Sequence, residues 1–521
     1  MRGAVAAGHP LTAQAGAEIL AEGGNAVDAC IAAGFVSWVT ESPLTGPGAG
    51  GFMLVHRARD RSDRMLDFFV SIPGQGLDEP AGARMVEVDV PFEKHTTQLF
   101  RIGAAACAVP GAVAGLGEAH RLYARLPWPD LVAPAIEIAR KGLPLNREQA
   151  FLHSILDVAL RAGAEGRKIY GRSAPLEEGE TLRMTDLADT LEQLAEEGTT
   201  AFYGGELARR ISAAVRADEG PLTEADLASY RVIRRRPVRA GFAGHELVSN
   251  PPPSSGGLLI AFALRLLDRL GVGGRPGSVG ALAALAAVMR EATNVRDRGF
   301  MRALYRGGLA ERLLAEERID EAARSIRAGS GTSTREAAAV PSTTHISVVD
   351  ADGNAASLSA STGCGSGIVV PGTGIHLNNM LGETDLNPGE KTAAPGQRLT
   401  SMMAPSIVLA NGHPRLVVGS AGSIRLRAAI LQIVVNVVAH GMSVLEAISF
   451  PRVHLEGEVL QLEGGIEASV AAELERRGHK IARWRARNLY FGGASAVALR
   501  DDGTLEAAGD PRRGGGGLVV R

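Results

Sequence analysis

Alternation of apolar and polar positions divides the chain into a largely helical first part and a hairpin-rich second part. Near the start, Leu11, Ala15, Ile19 and Leu20 recur at helical spacing, and Gly23-Gly24 stops them. Asn25 is a candidate cap for a second helix that is small and apolar nearly all round, which predicts burial. "TGPGAGGFMLVHRA" turns through glycines into a strand, "MLDFFVSIPG" predicts another, and a helix starts after Pro110-Gly111. From about 130 to 330 the pattern is largely helical, as in "LVAPAIEIARKG", "DLADTLEQLAEEG" and "GLLIAFALRLLDRLG". The small, Gly/Ser-rich stretch "EAARSIRAGSGTSTREAAAVPS" reads as an exposed linker ending at Pro341-Ser342. Beyond it strands dominate: "THISVVDADGNAASLSAS", "MAPSIVLANGHPRLVVGS", "EVLQLEGG" and "ASAVALRDDGTLEAAGD". Turns are marked by Asp352-Gly353, Asn411-Gly412 and Asp502-Gly503, and "LRAAILQIVVNVVAHG" and "ASVAAELERRG" predict helices between them. No internal repeat is visible. This order predicts sheet layers covered by helices, arranged as one sandwich.

At roughly 100–200 residues per domain, 521 residues allow about three domains or one large layered one. A hydrophobic content of 45% supports a sizeable core. The net charge of −2, from 55 basic and 57 acidic side chains, leaves no footprint for nucleic acid or an anionic membrane. Aromatic content of 4% also argues against a base-stacking surface. Cys30, Cys107 and Cys364 are odd in number and widely spaced, which argues against a disulfide framework or a zinc knuckle. The first apolar run is broken by His9 and Pro10, too early for a signal peptide. The expectation is a cytoplasmic protein, or a periplasmic or secreted one if a leader precedes Met1. No stretch predicts a membrane span.

Several motifs have bland readings that win. Gly46, Gly48, Gly50 and Gly51 lack the Lys-Ser/Thr of a phosphate loop and predict a tight turn. Asp350 to Asn354 begins like a calcium loop, but Ala355 stands where glycine is required, so a hairpin turn is expected. No histidine spacing suits a metal and no GxSxG is present. Neither a cofactor nor a metal is expected.

One strand resists a bland reading. It opens with Ser342, Thr343, Thr344 and His345, where a buried strand would take Val or Ile. By composition alone it is a solvated edge strand. Yet the linker runs straight into it, so a cut before Thr343 would leave a rigidly held N-terminus. An N-terminal threonine is a self-sufficient nucleophile, because its α-amine can take the proton of its own hydroxyl. A turn near Asp352 also folds Ser361 roughly opposite Thr343, at the ~5 Å spacing of cross-strand partners.

These residues resemble the gamma-glutamyltranspeptidase family of N-terminal nucleophile hydrolases. The resemblance runs through "HPLTAQAGAEILAEGGNAVDA", "GPGAGGFMLV", "NPPPSSGG", "STTHISVVDADGNA", "GSGIVVPGTGIHLNNMLGE", "PGQRLTSMMAPSIV", "GSAGSIRL" and "GDPRRGG". It implies an α/β (α+β) fold, a four-layer αββα sandwich, made as a precursor that cuts itself between Ser342 and Thr343. Residues 1–342 and 343–521 would then be a large and a small catalytic segment of one sandwich. Thr343 would attack an amide, form an acyl-enzyme and pass the acyl group to water or an amine. Glutathione-like γ-glutamyl amides are the default donors. The expected partners are a small-molecule amide or peptide substrate and the two fragments of the same chain, with room for a homodimer. The alternatives are an acylase acting on another acyl amide, and an unprocessed, non-catalytic homologue.

Residue by residue, the family's assisting threonine matches Ser361, and its oxyanion-hole pair falls at Gly422 and Ser423. Its acidic residue for the substrate α-amine matches Glu383, and the first of its two α-carboxylate serines matches Ser401. Four positions depart from the pattern. The second serine is Met402, the Gln before the acidic residue is Met380, the Asn past the assisting threonine is Gly363, and the carboxylate-clamping Arg falls at Phe69. A phenyl ring cannot make the bidentate pair an arginine makes. Arg425 or Arg427 could stand in for it, by proximity to Gly422. The segment between Glu383 and Ser401 is also shorter than in family members with a lid.

Overall fold

The computed structural model describes residues 2–78, 82–93, 96–329, 343–383 and 394–521. Ser342 and the linker from 330, and most of the short segment after Glu383, lie outside them.

Two antiparallel sheets face each other. The strands of the first are β1 (Gly3–Ala7), β2 (Gly50–Arg57), β3 (Ser62–Phe68), β4 (Ile233–Arg235), β7 (Thr344–Asp350), β8 (Ala355–Ser361) and β13 (Gly516–Val520), in spatial order β13-β1-β7-β8-β2-β3-β4. The second holds β5 (Val238–Phe242), β6 (His245–Ser249), β9 (Ser406–Ala410), β10 (His413–Ala421), β11 (Gly493–Leu499) and β12 (Leu505–Gly509), in order β12-β11-β10-β9-β6-β5. Helices α1 (Pro10–Ala21) and α2 (Ala26–Thr40) cover the outer face of the first sheet, and α3 (Gly256–Leu270) and α4 (Arg425–Val434) cover the second. The result is the expected αββα sandwich. Strands from before and after residue 342 are present in both sheets, so neither face of the sandwich is complete without both segments.

Period-two alternation sorts each strand of the first sheet between two cores. Ile346 and Val348 pack with α1 and α2, while Val349 belongs to the core between the sheets. α2 is buried along its whole length, and Asn25 caps it in a capping box with Asp28. The Asp350 carboxylate ties hairpin to helix: it accepts from Asp352 N, from Asn354 N and side chain, and from Ala26 N at the start of α2. The stretch from Asp350 to Asn354 is thus a turn. Among the described residues no cluster could hold a metal, and no helix is long and apolar enough to cross a membrane.

β7 lies inside the first sheet with every residue buried, in line with the argument against an edge strand. Three other points differ from the sequence reading. The stretch from 233 to 249, read as part of a helical region, forms β4, β5 and β6, and the buried–exposed alternation of Val238–Phe242 is the signal that distinguishes it. β1 and β13, not anticipated, pair with each other, and β1 also pairs with β7. Glu316–Arg327 is a helix, so the supposed linker's first residues, Glu321 to Arg327, are helical.

Candidate functional site

Thr343 stands at the head of β7 and is buried. The β7–β8 register pairs Thr344 with Ala360, and one further step places Thr343 opposite Ser361. Both lie on the alternation that faces the second sheet. The next strand continues the row, because Ser361 pairs with Gly50 of β2. Beside Gly50 the chain of Phe69 and Val70 passes so close that a Cβ on Gly50 would lie 2.7 Å from Val70 N. Only glycine permits that approach.

The sheets meet around a buried imidazole. His345 Nδ1 is 2.8 Å from Ser359 Oγ and Nε2 is 3.0 Å from Ser347 Oγ, and Ser347 donates to Ser495 O across the sandwich. Burial pushes the His345 pKa down to about 3, so the ring is neutral and serves as a crosslink between hydroxyls.

Two charged residues that the sequence did not single out hold the head of β7. Arg513 donates to Thr343 O at 3.0 Å, and Glu41 Oε2 accepts the Thr344 hydroxyl at 2.6 Å. Arg513 is placed by a buried ion network in which Asp510 pairs with Arg452 and Arg512, and Arg512 pairs with Glu463. Arg513 was within reach of the sequence, since it sits in the motif "GDPRRGG". Glu41 had only a weaker signal, a lone acid in the apolar run "SWVTESPL".

Gly422 and Ser423 sit where β10, a strand of the second sheet that packs on the hairpin, ends and α4 begins. Ser423 has φ of 49°, a left-handed conformation that an ordinary residue takes at a cost. Such a turn presents successive backbone N–H groups, the elements of an oxyanion hole.

Glu383 is half-buried and lies beside Gly363, where a Cβ on Gly363 would be 3.1 Å from Glu383 Oε1. The same Cβ would be 1.9 Å from Asn379 Oδ1, and Gly363 has φ of 66°. Asn379 fills the space a residue 363 side chain would occupy. Its amide accepts from Cys364 N and donates to Arg101 O. Ser361 Oγ accepts from Gly363 N at 2.9 Å, which joins this turn to the hydroxyl pair.

Phe69, Met380 and Met402 belong to the continuous apolar core that runs from between the sheets to the helices over the second sheet. Phe69 stacks on Phe52 with ring centroids 5.4 Å apart. Met402 Sδ accepts the Ser255 hydroxyl, and Ser401 Oγ accepts from Met403 N. Neither expected arginine takes the clamping position: Arg425 lies over the Tyr490 ring at 4.3 Å, and Arg427 lines a cavity with Met289 and His454. The guanidinium that does reach Phe69 is that of Arg398, which donates to the Phe69 carbonyl, pairs with Asp67 and lies over Tyr230. It is an internal brace.

The sequence model described as Gamma-glutamyltranspeptidase matches residues 12–520. The Acylase ACY 1 proenzyme of Pseudomonas sp. (strain SE83) is 34% identical, over 97% of this chain and 91% of its own. The Glutathione hydrolase proenzyme of Escherichia coli (strain K12) is 31% identical, over 98% of this chain and 90% of its own. Among solved structures, the cephalosporin acylase from Bacillus halodurans superposes with a TM-score of 0.84 at 26% identity, covering 99% of this chain and 95% of that one.

Proposed function

Because the chain belongs to the gamma-glutamyltranspeptidase family, we propose that it is a self-processing N-terminal threonine amidohydrolase or acyltransferase that takes γ-glutamyl or related acyl amides. The observation that carries the reading is Thr343 itself, a buried hydroxyl residue heading an interior strand directly opposite Ser361. The proenzyme names of the relatives above support a chain made as a precursor.

The precursor step begins with Thr343 Oγ attacking the Ser342 carbonyl carbon. The Ser342–Thr343 C–N bond breaks as an ester to Oγ forms, and water then hydrolyses the ester. Segments 1–342 and 343–521 would each still contribute strands to both sheets after the cut. In turnover the freed α-amine takes the hydroxyl proton while Oγ attacks the substrate carbonyl. Ser361 is assigned to hold that hydroxyl, and the N–H groups of Gly422 and Ser423 to stabilise the oxyanion. The amine returns the proton to the departing amide nitrogen, which leaves an ester on Thr343. Water or an acceptor amine attacks the ester, and Oγ recovers its proton. Glu383, beside the Gly363 turn, is assigned to a donor ammonium, and Ser401 to a donor carboxylate.

A specific observation favours a second reading of the donor. Phe69, Met380 and Met402 are joined in one apolar core where the family resemblance sets an Arg, a Gln and a Ser. A carboxylate brought there unpaired would lose several kcal/mol of hydration. An acyl amide without the α-amino-acid head would be spared that loss, and the acylase relative is consistent with it.

Intact mass tests the first reading: the expressed chain should split between Ser342 and Thr343, and Thr343→Ala should remain whole and inactive. Splitting of Thr343→Ala at the same bond would assign the cut to a foreign protease. Comparing kcat/KM for γ-glutamyl and glutaryl anilides tests the second, since they differ only in the α-amino group. Adding the fully truncated butyryl anilide isolates the carboxylate. A strong preference for the γ-glutamyl compound would remove the acylase reading.

A further inference from the structure

The turn that ends α2 touches both strands of the hairpin at its Thr343 end. Glu41 closes the helix, its N–H donating to Ser37 O at 2.9 Å. Its carboxylate takes the Thr344 hydroxyl at 2.6 Å. Three residues on, Leu44 O accepts from the N–H of Thr362, the neighbour of Ser361, at 2.9 Å. From the opposite side Arg513 donates to the Thr343 carbonyl at 3.0 Å. Glu41 and Arg513 are both buried, and they attract each other. A carboxylate and a guanidinium therefore hold the two residues at the head of β7, one through a side chain and one through the backbone.

We propose that Glu41 is a positioning residue for Thr343, acting through the Thr344 hydroxyl and balancing the Arg513 charge beside the amine that Thr343 exposes once the chain is cut. The inference rests on the self-cleavage reading above. It differs from a purely architectural role because architecture needs only a hydrogen-bond acceptor of that size, which glutamine also supplies.

The charges give the device its direction. The Thr343 amine must be unprotonated to accept the hydroxyl proton. A nearby cation favours the free amine, and a nearby anion favours the ammonium. Burial pushes the Glu41 pKa up to about 7, with the Thr344 and Thr12 hydroxyls and Arg513 pulling the other way. Burial likewise pulls Arg513 down to about 10. The negative end of the α2 dipole adds to the upward push on Glu41. The other charged groups facing the pair are Asp510, Arg425 and Arg452, which act on Arg513. His9, at the start of α1, is buried with its pKa pushed down to about 4 and is neutral. Near neutral pH, then, gain or loss of one proton on Glu41 decides whether Arg513 acts on the amine alone.

Glu41→Gln and wild type are compared by intact mass and by the pH profile of kcat/KM. The variant is expected to split at the same bond, with the acidic limb moved down by about one pH unit, the size of a single nearby charge effect. A limb that stays in place overturns the proposal. If Glu41→Gln fails to fold, Thr344→Val and Thr344→Ser take its place. The valine, equal in shape but without the hydroxyl, should lower kcat about tenfold with KM within about twofold, and serine should restore it. Thr344→Val with wild-type kcat overturns the proposal. A wild-type chain that neither splits nor turns over sinks the self-cleavage reading and this inference together. Splitting with unaltered variants sinks the inference alone.

Discussion

The two ends of the site are built from opposite materials. At the nucleophile end, Thr343, Thr344, Ser361, His345, Glu41 and Arg513 are polar groups held without solvent, each bonded to another part of the fold. Three strands along the same row, the head-group end is Phe69 stacked on Phe52, with Met380 and Met402 in the same core. Burial is nearly complete at both. What differs is how burial is tolerated: the first end links its polar groups to one another through hydrogen bonds and charge, and the second has few polar groups to link. A catalytic row can thus be kept while the surface that reads the substrate changes, because the apolar side chains of the second end take no part in the polar contacts of the first.

The largest test of that contrast is Phe69→Arg. A guanidinium placed against Phe52 would have no exposed path, and Asp67, the carboxylate that accepts from the Phe69 N–H, is already paired with Arg235 and Arg398. Burying an unpaired charge should cost about 3–5 kcal/mol. Thermal unfolding should show a lowered Tm, with no gain in activity on γ-glutamyl anilide. A stable Arg variant that gains γ-glutamyl activity would mean that the apolar end opens onto the substrate and that one side chain sets the donor.

The contrast also has a pH signature, because the apolar end does not titrate. Glu41 has its pKa raised from 4.5 to about 7, so between those values the folded chain holds a proton that the unfolded chain has released. Stability from this group is therefore present at low pH and is lost as pH rises through about 7. The loss is at most about 3–4 kcal/mol, since each pH unit between the two values is worth about 1.4 kcal/mol. Urea unfolding between pH 5 and 8 should show stability falling with pH, and Glu41→Gln should flatten the slope. An identical slope in the variant would assign it to other groups.

The nucleophile end was also the more legible in the sequence. Alternation, a turn at Asp352-Gly353 and a run of hydroxyls were enough to place Thr343 across from Ser361. Those are local signals, each carried by a few neighbouring residues. What stayed hidden depends on distant chain segments. β1 is "GAVAA", buried on both faces and so without alternation to betray it. Glu41 is 303 residues from Thr344, and Arg513 is 170 from Thr343. At Gly363 the sequence shows only that an Asn is replaced, whereas in the fold the Asn379 amide, coming from another turn, fills the space. Pairings of that range follow from topology, and residue patterns alone do not supply it.

The smallest effect concerns the turn where β10 passes into α4. Ser423 holds φ of 49°, while Gly422 before it has φ of 137°. A serine in the left-handed region carries strain of about 1 kcal/mol that glycine does not. Ser423→Gly relieves that strain but also frees the unfolded chain, which takes back a few tenths of a kcal/mol or more. Stability should therefore rise by less than about 1 kcal/mol. The assigned role of residue 423 is carried by its backbone N–H, which glycine keeps, so kcat should stay within about threefold. Ser423→Pro removes that N–H and forbids the positive φ, and serves as the opposing control. If Ser423→Gly instead lowers kcat as far as Ser423→Pro, the serine hydroxyl contributes to the reaction and the backbone assignment at this turn is wrong.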